Sequence, residues 1–324
     1  MKYIIIDDEN QLYKIMYADL FDTNLYDIEE LPRFKKMPCI LKIVNQIYFN
    51  DRLNRHIRIP LKDIWNNQYA LTDYKFDPEE QYWIIFLNGT IRNYYTYNYL
   101  KKLKREHSNI KLAMVMYDSF SNQSNARAVS FIPLFDAVLS FDKGDCEKYG
   151  LISINSTFSF PKFVKKDDSY SSSVFFVGSG DARLKLMQEV FHAIASKISN
   201  SKFFLIGVRK KIQKYNEDII YSKPIDYKTS LMYSYNTNCI IEILKPGQTG
   251  ISLRTCEAIL FNKKLLTNNL AIRKMPFYNE KYMRVFSDEK SIDWDFIKSS
   301  IDVEYNYSGY FSPLQVIERL SEIS

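Results

Sequence analysis

Residues 242–260 read EILKPGQTGISLRTCEAIL, and this stretch decides how the chain is read. It opens at the end of a short apolar run, 239–243 (CIIEI), that has the character of a buried strand. A loop with Gly247 and Gly250 follows, and 251–261 then reads as a helix. A helix that starts behind a glycine loop presents unbonded N–H groups and the positive end of its dipole, which suits a phosphate. The glycines let the backbone approach a ligand with no Cβ in the way. Arg254 and Glu257 are three positions apart and share one helix face. There an Arg can meet a diphosphate, and a Glu one turn deeper can accept both hydroxyls of a ribose. Each such bond to a charged group is worth about 1.5–3 kcal/mol. The same spacing also describes an ordinary surface ion pair, worth roughly a few tenths of a kcal/mol.

The elements on either side repeat one grammar. Residues 264–266 start the next strand. Upstream, 174–177 (VFFV) is a strand, 178–181 a tight loop, and 203–206 another strand. Between them Leu184, Met187, Phe191, Ile194 and Ile198 form the apolar stripe of a helix. In the first half, strands are expected at 3–6, at 38–44 with 46–49 as an extension, at 82–87 (YWIIFL), 111–117 and 137–140, and a helix over 98–106. Continuous apolar runs mark strands buried on both faces, and their alternation with helices predicts parallel α/β sheets. Residues 161–173 are polar and Ser-rich and read as a linker. The expected layout is a domain over 1–160, a linker over 161–173, a second domain over 174–311 and a terminal helix over 312–324. That helix opens on Ser312-Pro313-Leu314-Gln315, a capping box with Pro at the first helical position.

Composition excludes several classes. The chain has 324 residues, 46% apolar and 25% charged, enough for two globular cores. Its 25 Tyr and 22 Phe against 9 Gly fit an AT-rich genome; aromatic sugar platforms are the other reading. The net charge of +6 is a small excess of 44 basic over 38 acidic residues, without the concentrated patch of a nucleic-acid binder. The clusters at 101–105 (KKLKR) and 209–211 (RKK) are solvated helix ends, or attract an anionic substrate or membrane surface weakly. Four scattered Cys and three scattered His indicate neither a disulfide framework nor a zinc site. The apolar run at 3–6 is too short for a signal peptide, no run is long enough to span a membrane, and a cytoplasmic setting is expected.

Residues 239–269 resemble the donor-site segment of GT-B glycosyltransferases, especially the bacterial CgeB-like and lipopolysaccharide-type group. Members show an apolar strand, a glycine loop, an R-x-x-E-A helix and a strand ending in Thr-Asn. Here these are Arg254-Thr255-Cys256-Glu257-Ala258 and Leu265-Leu266-Thr267-Asn268-Asn269, with Asn262 in place of the usual helix-stopping Gly. Residues 135–150 are similar to the family's approach to its interdomain linker, and Phe176-Val177-Gly178-Ser179 with Arg183 to the first strand and loop of its donor domain. The resemblance implies two Rossmann-like domains facing across a cleft, with the helix from Ser312 returning to pack on the first of them. It implies transfer of a sugar from a nucleoside-diphosphate donor, UDP-sugar favoured, to a glycan, lipid-linked or protein acceptor, without a metal and without nucleic acid. By carry-over Glu257 holds the ribose, Gln248, Thr249, Gly250 and Arg254 lie near the diphosphate or donor sugar, and Gly178 and Ser179 face the cleft. One departure is plain: retaining members carry a second Glu eight positions before the first, and Thr249 stands there. An inverting enzyme needs a base near a strand end of the first domain, and Asp118 is the best placed, with Asp7 and Asp8 as rivals. Two other readings are a non-catalytic GT-B partner subunit and a sugar-nucleotide 2-epimerase.

Overall fold

The computed structural model describes residues 1–7, 9–50, 53–54, 57, 59–120, 125–180, 182–245 and 250–324. The chain divides into two compact units, residues 1–159 with 311–324, and residues 160–310. Each is built on one six-stranded, wholly parallel sheet. Among the described residues no helix is long and apolar enough to cross a membrane.

The first sheet contains β1 (Lys2–Ile6), β2 (Asp27–Leu31), β3 (Tyr82–Leu87), β4 (Ile110–Met116), β5 (Ala137–Ser140) and β6 (Ile152–Ser153), in the order β2-β1-β3-β4-β5-β6. β3 is buried at every residue because it has neighbours on both edges and cover on both faces. Ile84 is in register with Ile4 on one side and Leu112 on the other. Part of the aromatic excess is spent in this core. Tyr69 stacks on Tyr95 with centroids 4.3 Å apart, and Phe86 meets Tyr95 edge-on at 5.0 Å. All three rings are fully buried and so are not sugar platforms.

Residues 38–49 are not a strand. Cys39–Tyr48 is a helix whose N-cap, Pro38, is still extended (φ −56°, ψ 150°) and has no N–H for the helix to satisfy. Its Ile and Val content suggested a strand, yet the apolar positions also satisfy helical spacing, and a short apolar run does not separate the two. The edge position goes instead to β2, whose polar sequence DIEEL hid it; an edge strand needs no apolar alternation.

The terminal helix Leu314–Glu322 lies in the first unit and buries Val316, Ile317 and Leu320. The capping box expected at Ser312 does not form. Gln315 Oε1 accepts from the Asn155 amide (2.6 Å) while its Nε2 donates to the Ser312 carbonyl (2.8 Å), so a tertiary partner displaces the local one. Trp83 Nε1 on β3 donates to Ser324 Oγ at 2.8 Å.

The second sheet contains β7 (Ser172–Ser179), β8 (Ser201–Ile206), β9 (Ile220–Ser222), β10 (Thr237–Glu242), β11 (Lys264–Thr267) and β12 (Met283–Val285), in the order β12-β11-β10-β7-β8-β9. The stretch read as a linker is partly structured within this unit. Phe160 packs edge-on against Phe261, Val164 is buried, and Ser172 already belongs to β7, its hydroxyl donating to Thr237 Oγ1 (2.9 Å). Strand serines that bond across a sheet read as linker serines when the neighbour is unknown.

Leu320 is wholly buried in the first unit. Leu320→Ala should lower that unit's unfolding free energy by about 3 kcal/mol, and urea unfolding followed by Trp83 fluorescence measures it. A loss below about 0.5 kcal/mol would show that the terminal helix does not belong to that core.

Candidate functional site

The second sheet reverses its winding between β7 and β10. The chain runs outward through β8 and β9, then returns to the other side of β7. In open parallel sheets the crevice outside the carboxyl ends at such a reversal is the usual ligand site. β7 ends there with Gly178 and Ser179, which are strand residues and not the loop expected from sequence. Gly180 follows, its N–H donating to the Ile206 carbonyl at 2.9 Å. A Cβ on Gly180 would stand 2.1 Å from Val208 Cγ2, so only glycine allows this approach. Arg183 then reaches back across the reversal. One guanidinium nitrogen donates to the Ile243 carbonyl just past β10, and the other lies 3.8 Å from where a Gly178 Cβ would be. A fixed cation thus spans the two strand ends.

On the β10 side the loop is anchored at both of its described ends. Asn268 Oδ1 accepts from the Leu244 amide (2.6 Å), and Asn269 Nδ2 donates to the Gly250 carbonyl (3.2 Å). The Thr-Asn-Asn that closes β11 is therefore the clamp for 245–250. Glu242, the last residue of β10 and nearly fully buried, supplies the rest. Its Oε1 accepts from Ser252 and Thr255 (2.7 Å for Thr255), and its Oε2 accepts from Thr267. Ser252 also caps the helix Leu253–Leu260, its Oγ accepting from the Arg254 amide at 3.1 Å. The helix ends as expected at Asn262, whose φ is +52°. Lys263 N donates to the Ala258 carbonyl at 2.8 Å and Asn262 N to Ile259 at 3.3 Å, a Schellman ending.

Arg254 and Glu257 are a buried pair, neither the expected open site nor a surface ion pair. Glu257 is 0% exposed and Arg254 16%. Glu257 Oε2 accepts from Arg254 and from Ser234 Oγ (2.6 Å), and Oε1 from the Tyr227 hydroxyl (3.1 Å). Arg254 donates further to Ser234 Oγ (3.0 Å) and Ser230 Oγ (3.1 Å). The partners Tyr227, Ser230 and Ser234 lie on the helix Tyr227–Asn236, so the pair joins two helices. Burial pushes the Glu257 carboxyl up, opposed by Arg254, Ser234 and Tyr227. In this arrangement the guanidinium turns back onto that helix, and the carboxylate has no open face.

Compared with protein-family models and with curated protein sequences, the chain matches none. Solved structures do match. An α-glucosyltransferase in complex with UDP and a 13-mer DNA containing a central A:G mismatch is similar at a TM-score of 0.58 and 12% identity, over 100% of this chain and 99% of that one. The UDP-GlcNAc 2-epimerase of Methanocaldococcus jannaschii, in complex with UDP-GlcNAc and UDP, is similar at 0.52 and 12%, over 99% and 100%. The fold is GT-B.

Within the GT-B fold, Gly178, Ser179 and Gly250 gather at the carboxyl edge of the second sheet, with Arg254 and Glu257 on the helix that starts there. Gln248 and Thr249 lie outside the described residues, as does Asp8. Asp118 follows β4 in the first unit, and Asp7 follows β1 beside that sheet's own reversal between β1 and β3. Asp7 is already engaged by Lys14 Nζ (2.8 Å) and the Glu9 amide (2.7 Å). Glu242 and Arg183 are the residues whose roles the sequence reading missed. The signal was there in part, since both flank the glycine-containing turns at the ends of β7 and β10.

A cavity of about 710 Å³ opens at the opposite, amino edge of the same sheet, among Lys166, Tyr235, Lys263 and Lys298. Burial there, with Lys166 close by, pulls Lys263 down from 10.5 to about 8. A depressed ammonium opposes folding while charged. Its contribution is therefore lost as pH falls through about 8 and complete only above 10.5. The melting temperature of the second unit should rise between pH 8 and 10, and Lys263→Met should flatten that rise; scanning calorimetry across this range checks both.

Glu257→Ala should destabilise the second unit by about 3 kcal/mol, because it leaves a largely buried guanidinium without its carboxylate. Glu257→Gln, which keeps the volume and an acceptor, should cost less. Denaturant melts compare them, and a loss under about 1 kcal/mol for the alanine variant would mean that water already screens the pair.

Proposed function

We propose that this protein is a nucleotide-sugar glycosyltransferase related to the bacterial CgeB-like group, moving a hexosyl unit, from UDP in preference to other diphosphates, to a hydroxyl of a glycan, lipid-linked or protein acceptor. The observation that carries the reading is Arg183 spanning the β7–β10 reversal beside the capped start of the Leu253–Leu260 helix. A guanidinium and the positive end of a helix suit a leaving diphosphate, so donor binding in this reading needs no metal. Gly178, Ser179, Gln248, Thr249 and Gly250 border the donor. Arg183 takes the phosphate role first given to Arg254. For Glu257 to hold the ribose, a ribose hydroxyl must displace the Tyr227 donor at Oε1, the carboxylate oxygen that Arg254 does not bond. UDP complexes among the GT-B structures of similar fold agree with this reading.

The acceptor's proton goes to a carboxylate at the carboxyl edge of the first sheet in an inverting reaction. Asp118, just past β4, is the candidate, with Asp7, which pairs with Lys14, as its rival. The epimerase reading asks for a histidine beside the donor. Of the described histidines, His192 stacks on Tyr215 and pairs with Asp218, and His107 packs on Phe76, both away from the strand carboxyl ends; His56 lies outside the described residues.

Titration with UDP, GDP, TDP and ADP should give one clear preference, unchanged by EDTA. Arg183→Ala should weaken it at least tenfold, about 1.4 kcal/mol, while Arg183→Lys should retain part of it. Asp118→Asn should leave nucleotide affinity intact and lower kcat by about a hundredfold or more. Binding that EDTA abolishes and Mn²⁺ restores would refute the metal-free reading. Absence of any nucleotide binding would refute the function.

A further inference from the structure

The helix Cys39–Tyr48 is apolar on two sides, and the fold uses only one. Its C-terminal turn packs inward, where Tyr48 and Phe49 meet the Trp65 ring at 5.7 and 5.9 Å and Phe49 meets Tyr94 at 5.0 Å. On the other side Ile40, Ile43, Val44 and Ile47, at spacings of three and four, are 79, 56, 45 and 57% exposed. The Tyr48 hydroxyl donates to the Pro60 carbonyl, which sets Leu61 and Ile64, 73 and 64% exposed, beside the end of the helix. Leu61 has φ +59°, so disfavoured backbone holds a leucine out in water. A contiguous apolar patch of this kind marks an interaction surface.

Charge says which surface. Residues 33–62 hold eight Lys or Arg against one acid; Arg33 is buried against Glu9, Lys35 pairs with Asp73, and Arg52, Arg55 and Arg58 lie outside the described residues. Lys36 and Lys42 are exposed next to the apolar face. The cores of protein interfaces are depleted in charge, whereas an apolar helix face flanked by exposed lysines matches acyl chains under anionic headgroups. We propose that the outer face of Cys39–Tyr48, with Leu61 and Ile64, seats the protein on an anionic lipid bilayer.

The test is co-sedimentation of the full chain with vesicles of phosphatidylglycerol and phosphatidylcholine, against phosphatidylcholine alone. Binding should require phosphatidylglycerol and weaken with salt. The double variant Ile43→Glu/Ile47→Glu should lose at least tenfold in partitioning with an unchanged melting temperature, because both side chains already face water. Lys36→Glu/Lys42→Glu should reduce the preference for the anionic lipid. No sedimentation with either vesicle, or equal sedimentation of wild type and the isoleucine variant, overturns the proposal. So does a dimer in gel filtration that the isoleucine variant converts to a monomer without any vesicle binding, since a second copy would then cover the face.

Discussion

Glu242 sits at the carboxyl end of β10 with its two oxygens taken by the hydroxyls of Ser252, Thr255 and Thr267. Among the described residues it has no ion pair. A buried carboxylate in that position is tolerable only because each hydroxyl donates and the positive end of the Leu253–Leu260 dipole lies beside it. Those bonds tie three things to one atom group: the end of β10, the first turn of the helix and the end of β11. The arrangement of the candidate site follows from that tie. With the helix start and β11 fixed, Asn268 and Asn269 reach both ends of the intervening loop.

Two arginines divide the electrostatic work of this unit. Arg254 is consumed internally, since Glu257 has no solvent and needs a counter-charge within reach on its own helix. Arg183 is held at the strand ends by the Ile243 carbonyl. The distinction comes from the partner each guanidinium has, and local sequence around either residue does not reveal it.

The apolar runs were legible because parallel strands covered on both faces have few alternatives: YWIIFL at 82–87 is buried at every position. The same logic failed at both extremes of polarity. β2 is a polar edge strand, DIEEL, with nothing in its pattern to mark it. The Cys39–Tyr48 helix is rich in Ile and Val, and these β-branched residues mimic a strand. At the site, the glycine loop, the helix behind it and the Asn262 stop could be read directly, since each is a local backbone requirement. Exposure could not be read, and it is exposure that decides whether Glu257 meets a ligand or a neighbouring helix.

By itself the sequence determined two parallel α/β units and the strand–loop–helix at 239–261, because strand burial, glycine turns and helix stops are written in residues a few positions apart. Tertiary structure alone decided which carboxylates are enclosed, which arginine stands at the strand ends, and where the last helix packs. Ser234 and Tyr227 lie 23 and 30 residues from Glu257, Ile243 lies 60 from Arg183, and Gln315 lies 160 from Asn155. Hydrogen-bond partners at such separations are chosen by the sheet order, so a side chain's role there is settled only once the strands have found their neighbours.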